Sequence, residues 1–137
     1  MPKFSRSSKQ KLATCHPDLI TLFNVVIKTF DCKVICGHRG KIAQNNAFIN
    51  GLSKVQWPNS KHNRKPSMAA DVVPYPIDWM DLPRMKFFAG YVLGIAQRLF
   101  DEGKMTHKVI SGLDWDGDTE LKDTTFKDHP HFQLKKP

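Results

Sequence analysis

The sequence is poor in the features that mark several large protein classes. No run approaches the ~18 consecutive apolar residues of a membrane span, and no apolar segment follows the charged start Met1-Pro2-Lys3-Phe4. A soluble protein made in the cytoplasm without a signal peptide is therefore expected. Cysteine is scarce and odd in number, so Cys15, Cys32 and Cys36 cannot build the disulfide framework of a small secreted fold. Cys32 and Cys36 are expected to be reduced core residues. No CxxC pair and no HExxH helix offers a ready-made metal signature. Repeats and low-complexity tracts are absent, and 137 residues leave no room for a two-domain nucleotide enzyme. Acidic residues are also few: 13 Asp and Glu stand against 21 Lys and Arg, a formal net charge of +8. Such a balance favours an anionic partner, whether nucleic acid, an acidic membrane surface or an acidic polymer such as a cell wall.

What is present suffices for one compact domain over residues 1–137. Hydrophobic residues make up 40% of the chain, enough to bury roughly two-thirds of the unfolded surface at this size. A short helix is predicted from Ser7 to Thr14, before Pro17. Leu19, Leu22, Phe23, Val26, Ile27 and Phe30 follow helical spacing and predict a second helix over 18–30. Lys33 to Cys36 reads as a strand stopped by Gly37, and Lys41 to Gly51 as a helix with Gly51 at its C′ position. Residues 53–68 form a long polar connection of the kind that carries function. Ala69 to Pro74 is predicted as a strand with an acid inside it. Met85, Phe88, Val92, Ile95, Ala96 and Leu99 mark the main core helix, from about Asp81 to Glu102. Short strands at 108–110 and 129–134 flank an aspartate-rich loop at 112–120. Helices and strands are segregated rather than alternating, so the expected class is α+β, a small antiparallel sheet with helices packed on it.

Three residues stand out chemically. His62 lies in the long polar loop. Asp71 sits between Ala69, Ala70, Val72 and Val73, where an unpaired carboxylate would be costly. His131 sits in the last strand, with Asp128 three residues upstream. Two imidazoles and one carboxylate are three protein ligands, which leaves the fourth position of a tetrahedral zinc for water, the arrangement of a catalytic site. Each residue also has an ordinary reading as a solvated histidine or a salt-bridged acid, and spacing alone does not choose.

The stretch Ser60-Lys61-His62 followed by Ala69-Ala70-Asp71-Val72-Val73-Pro74 resembles the signature of the zinc D-Ala-D-Ala carboxypeptidase and L-alanyl-D-glutamate endopeptidase family. Asp128-His129-Pro130-His131-Phe132 is similar to the second half of that signature, and Gly37-His38-Arg39 with downstream Gln44 to its Gly-x-Arg element. The whole resembles the single-domain phage endolysins of the family, covering about residues 12 to 134. The resemblance implies a hedgehog/D-Ala-D-Ala-peptidase-like fold and cleavage of the Ala–Glu bond of peptidoglycan stem peptides. It implies zinc on His62, Asp71 and His131, with Asp128 as general base and acid and Arg39 facing the substrate's carbonyl or carboxylate. Ser60 and Gln44 would bind substrate. His129 competes with His131 as third ligand, because residues i and i+2 of a strand share a face; Phe126, not an acid, would then stand three residues upstream, so His131 is chosen.

Two departures from the family pattern are the long His62-to-Asp71 gap and Pro130 before the histidine. Asp114, Asp116, Asp118 and Glu120 place oxygens at alternate positions, as calcium loops do, and some phage members carry a calcium-responsive loop in this region. The expected partners are bacterial peptidoglycan and an anionic outer-membrane surface, with no specific nucleic acid and a monomeric state. The expected place of action is the periplasmic wall, reached through a pore made by another protein. The alternatives are a D-alanyl-D-alanine carboxypeptidase, a basic nucleic-acid-binding protein, and a non-catalytic wall-binding module.

Overall fold

A computed structural model describes residues 1–137. Four helices, α1 (Arg6–Leu12), α2 (Pro17–Val26), α3 (Lys41–Ile49) and α4 (Leu82–Asp101), accompany four strands, β1 (Cys32–Cys36), β2 (Ala69–Pro74), β3 (Lys108–Gly112) and β4 (Asp128–Lys135). A single 3-10 turn spans Lys61–Asn63. The strands form one antiparallel sheet in the order β1-β2-β4-β3. This is the α+β architecture expected. No helix is long and apolar enough to cross a membrane.

Strand alternation divides the chain's chemistry between two faces. Cys32, Val34, Ala70, Val72, Phe132 and Leu134 turn to one side and join Leu19, Leu22, Phe23 and Val26 of α2 and Phe88, Val92, Ala96 and Leu99 of α4 in the core. Phe132 is the keystone, its ring edge-on to Phe23 at 5.6 Å and to Phe88 at 6.1 Å. Asp71, His131 and Gln133 belong to the opposite phase of β2 and β4, and the register sets Asp71 directly against His131. The site face is thus fixed by the same pairing that builds the core.

The helices start where their caps place them. His16 accepts the Asp18 N–H at its Nδ1 and Pro17 follows at the first helical position, which opens α2. Asp81 accepts the Arg84 N–H and opens α4. Gly51 closes α3 at φ +74°, in the C′ position expected of it. Helix α2, predicted to reach Phe30, ends at Val26, and the chain tightens into turns in which Lys28 and Thr29 donate to Val25 and Val26. Phe30 keeps the apolar phase of the helix because it packs on Phe88 and Tyr91 of α4, not because its backbone is helical. Strand β4 begins at Asp128, one residue earlier than expected, and β3 runs on to Gly112.

A second correction concerns Cys36. All three cysteines are free, and Cys15 and Cys32 are buried. In β1, however, a bulge at Ile35 pairs Val34 with Val72 and Cys36 with Asp71. The extra residue turns Cys36 from the core phase to the site face, where its sulfur lies within 4.8 Å of ligating atoms of His62 and Asp71.

Candidate metal centre and active site

His62 is held by local backbone chemistry before any metal is considered. Ser60 accepts the His62 N–H, and Asn63 returns the favour by accepting the Ser60 N–H, a capping box on the 3-10 turn. Arg39 N–H donates to the His62 carbonyl at 2.8 Å and ties the turn to the β1–α3 connection. The ring Nδ1 of His62 lies 2.7 Å from the Gly37 carbonyl, so Nδ1 carries the proton and Nε2 keeps its lone pair free to accept a hydrogen bond or bind a metal. Gly37 tolerates no side chain, because a Cβ there would run into the Lys11 carbonyl and the Thr14 hydroxyl at the end of α1. His131 is oriented in the same way from the other end: its Nε2 donates to Gln133 Oε1 at 2.9 Å, leaving Nδ1 free.

The two free ring nitrogens and Asp71 Oδ1 form a near-equilateral triangle. His62 Nε2 and His131 Nδ1 are 3.3 Å apart, and each is 3.2 Å from Asp71 Oδ1. Asp71 Oδ2 takes the Arg39 guanidinium at 3.3 Å. Burial by itself would raise the Asp71 pKa, but hydrogen bonds and charge from His131 and His62 outweigh it and hold the carboxyl well below its usual range. Burial likewise disfavours charge on His62, yet the hydrogen bonds to Asp71 and Cys36 win and raise its pKa. Asp128 stands just outside the triangle, its Oδ2 3.9 Å from His131 Nδ1. Burial, reinforced by the Asp71 charge, pushes its carboxyl up to about 6 against the opposing pull of His131, His62 and Arg39. Its backbone is pressed against Gly112, where a Cβ would collide with the Asp128 carbonyl.

The other residues singled out in the sequence take varied places. Ser60 caps the His62 turn and also lines a cavity of about 400 Å³ together with Arg39, Lys61, His62, Asp128 and His131. Gln44 does not reach that cavity. It is 0% exposed, accepts from Arg39 and Asn63 at Oε1, and donates from Nε2 to Ser53 and the Val55 carbonyl. Substrate contact is closed to it, and its place is to brace Arg39 and the 53–55 wall. His129 and His131 do not share a face either, since the pairing skips from Ser111–Phe132 to Gly112–Asp128 and breaks the alternation there. His129 lines a second cavity instead. In the acidic loop, Asp114, Asp116 and Asp118 draw together with Asp123, not with Glu120, whose N–H is spent on Asp118.

Sequence reasoning missed several residues. Gln133 stands two positions after His131 in the same strand phase, a spacing that could have flagged it. Trp115, whose ring centroid lies 5.0 Å from that of His131, is brought in only by the β3–β4 connection. Asn63, next to His62, bonds to the Arg39 carbonyl and to Gln44.

Two imidazole nitrogens and a carboxylate oxygen converging on one point, with an acid and an arginine beside them, make up the donor set of a hydrolytic metal centre. The comparisons agree with that class. Residues 1–135 match the phage L-alanyl-D-glutamate peptidase family, and the chain belongs to it. It is a peptidase of the L-alanyl-D-glutamate bond and so a peptidoglycan hydrolase. The fold is shared with a solved structure, the Serratia marcescens L-Ala D-Glu endopeptidase ChiX, at a TM-score of 0.73 and 24% identity, over 98% of this chain and 91% of that one. Comparison with curated proteins finds no match.

Proposed function

We propose that the chain is a zinc-dependent endopeptidase in which His62 Nε2, Asp71 Oδ1 and His131 Nδ1 hold the metal. The observation that carries this reading is the triangle of 3.2–3.3 Å edges. Tetrahedral coordination at ~2.0–2.1 Å requires ligand-to-ligand separations of about 3.3 Å, so these atoms need almost no rearrangement. Gly37 and Gln133 fix both imidazole tautomers in the ligating form. When bound there, zinc supplies a Lewis acid that activates water at neutral pH.

The chain's own residues supply the rest. Asp128 lines the cavity beside the triangle, its Oδ2 3.9 Å from His131 Nδ1, and from there a carboxylate can take a proton from water and return it to the leaving amine of the glutamate. Arg39, held by Gln44 and Asp71, presents a planar cation at the cavity wall for the polarised carbonyl oxygen or a substrate carboxylate. Ser60, Lys54 and Lys61 border the same space and suit an acidic stem peptide. The enzyme works as a monomer, one catalytic domain acting on the wall from the periplasm, and its +8 charge draws it to an anionic envelope that includes the outer-membrane surface.

Metal analysis of the purified protein is expected to give one zinc per chain, and zinc-loaded enzyme is expected to open Ala–Glu bonds of purified peptidoglycan, read by mass spectrometry. No bound metal, or bond cleavage unaffected by chelation, would overturn the zinc assignment. For calcium, the supporting observation is the convergence of Asp114, Asp116, Asp118 and Asp123, where a hydrogen bond to Asp118 and neighbouring charge push Asp123 up to about 6. Calorimetric titration of the zinc-loaded protein should show calcium heat that Asp116→Asn abolishes; no heat above dilution at millimolar calcium excludes the ion there.

A further inference from the structure

The cleft does not end at the metal triangle. A second cavity, of about 660 Å³, lies beyond it, and Arg39, Leu52 and Asp128 line both spaces. A peptide whose scissile carbonyl sits between Arg39 and Asp128 has room to extend into one cavity on its amino side and into the other on its carboxyl side. The two cavities differ in chemistry. The first adds Lys54 and Lys61 as cations to the shared Arg39, with Ser53 and Ser60 beside them. The second adds one lysine, Lys127, together with His129, and is otherwise faced by Trp79, Leu82, Met85 and Ile35, with the exposed amides of Asn46 and Asn50 on its α3 side. Its volume falls within the range of small-ligand sites, about 300–1,000 Å³.

The aromatic residues of the two cavities differ as well. Trp115 in the first is committed: its indole N–H donates to the Phe126 carbonyl at 2.7 Å, and its ring leans on Phe126 and His131. Trp79 is 53% exposed and presents a free ring. An open indole face beside unengaged amides suits a pyranose carrying an acetamido group, since the ring stacks on the apolar face of the sugar while the amides meet its polar edge.

The substrate's covalent structure says which end meets which cavity. The L-alanine on the amino side of the scissile bond is joined to the lactyl ether of an N-acetylated sugar, about 7 Å of chain away at ~3.5 Å per unit. The carboxyl side carries the glutamate carboxylate and the acidic remainder of the stem. We infer that the substrate lies with its N-acetylmuramoyl sugar in the Trp79 cavity and its acidic peptide in the Lys54–Lys61 cavity, so that the enzyme selects glycan-attached stems over free ones. This rests on the assignment of the triangle as the reaction centre.

The test compares two substrates of the zinc-loaded enzyme: a stem peptide bearing the N-acetylmuramoyl group, and the same peptide with a free or acetylated amino end. Wild type should favour the sugar-bearing substrate in kcat/KM by about tenfold, the scale of one well-stacked aromatic contact. In Trp79→Ala the ratio should fall toward one, in Trp79→Phe it should largely survive, and Asn46→Ala should lower it part of the way. Titration of the metal-free protein with glycan strands stripped of peptide should shift the Trp79 indole NMR signal. A wild-type ratio near one, or a ratio unchanged in Trp79→Ala, overturns the inference. Cleavage of neither substrate by wild type would instead overturn the reaction-centre assignment, and the NMR titration reports on the sugar site independently of that failure.

Discussion

Two clusters in this molecule have the same composition, two histidines and an aspartate, and opposite fates. In one, His62, Asp71 and His131 aim unspent atoms at a common point. In the other, His16, Asp18 and His107 also bring ligating atoms within 4.8 Å of one another. There, however, Asp18 Oδ2 already receives the Thr106 N–H and hydroxyl, the His107 N–H and the His107 ring, at 2.9–3.0 Å. His16 Nδ1 is spent on the Asp18 N–H. That cluster ties the start of α2 to the entry of β3. What separates the proposed metal centre from a structural cluster is which atoms its partners leave free. In the first cluster the Gly37 carbonyl and Gln133 occupy the far nitrogens, and Arg39 occupies the outer oxygen.

Asp71→Ala should have the largest effect. The protein should lose its metal and activity by at least on the order of a thousandfold, and should melt earlier, because metal affinity is also folding free energy. Metal analysis and thermal unfolding with and without chelator check this. Asp128→Asn should lower kcat by about 10²–10⁴-fold while zinc content stays at one per chain. Loss of the metal in that variant would move Asp128 into the ligand set. Gln133→Leu should weaken metal affinity by about 10–100-fold through the loss of His131 orientation, measured by competition with a chromophoric chelator.

Asp18→Asn probes the other cluster. It should cost about 2–3 kcal/mol in denaturant unfolding with metal content unchanged, since buried donors lose a charged acceptor. Two metals per wild-type chain, one of them lost in Asp18→Asn, would erase the distinction between the clusters. The smallest effect is on pH. Burial would raise the Asp18 pKa, but the bonds from His107 and Thr106 outweigh it and hold the carboxyl below its ordinary value. A depressed carboxylate contributes stability above its unfolded pKa of about 3.9 and loses it as pH falls through the folded value. Wild type should therefore lose more stability than Asp18→Asn as pH drops below about 4.

Much of this was legible in the chain. The apolar spacing of α2 and α4 marked the core side, and an acid inside Ala69-Ala70-Asp71-Val72-Val73 marked β2 as unusual. The family resemblance brought His62, Asp71, Asp128 and His131 together with Arg39. What failed did so for local geometric reasons. Period-two reasoning misplaced Cys36 and His129 because the bulge at Ile35 and the break opposite Gly112 each shift the phase of a strand. The motif suggests substrate contact for Gln44, but it cannot show that the side chain is wholly enclosed. Glu120 gave way to Asp123 because the loop's own N–H bonds close it in a direction that alternation does not describe.

By itself, the sequence determined the residue types: a basic chain, helices and strands with one apolar face each, and a set of imidazoles and carboxylates able to hold a metal. Those follow from local periodicity and side-chain chemistry. Tertiary structure decided which atoms of those residues stay free. That depends on register, as in Asp71 opposite His131, and on close approaches such as Gly37 to His62, which join parts of the chain far apart in sequence.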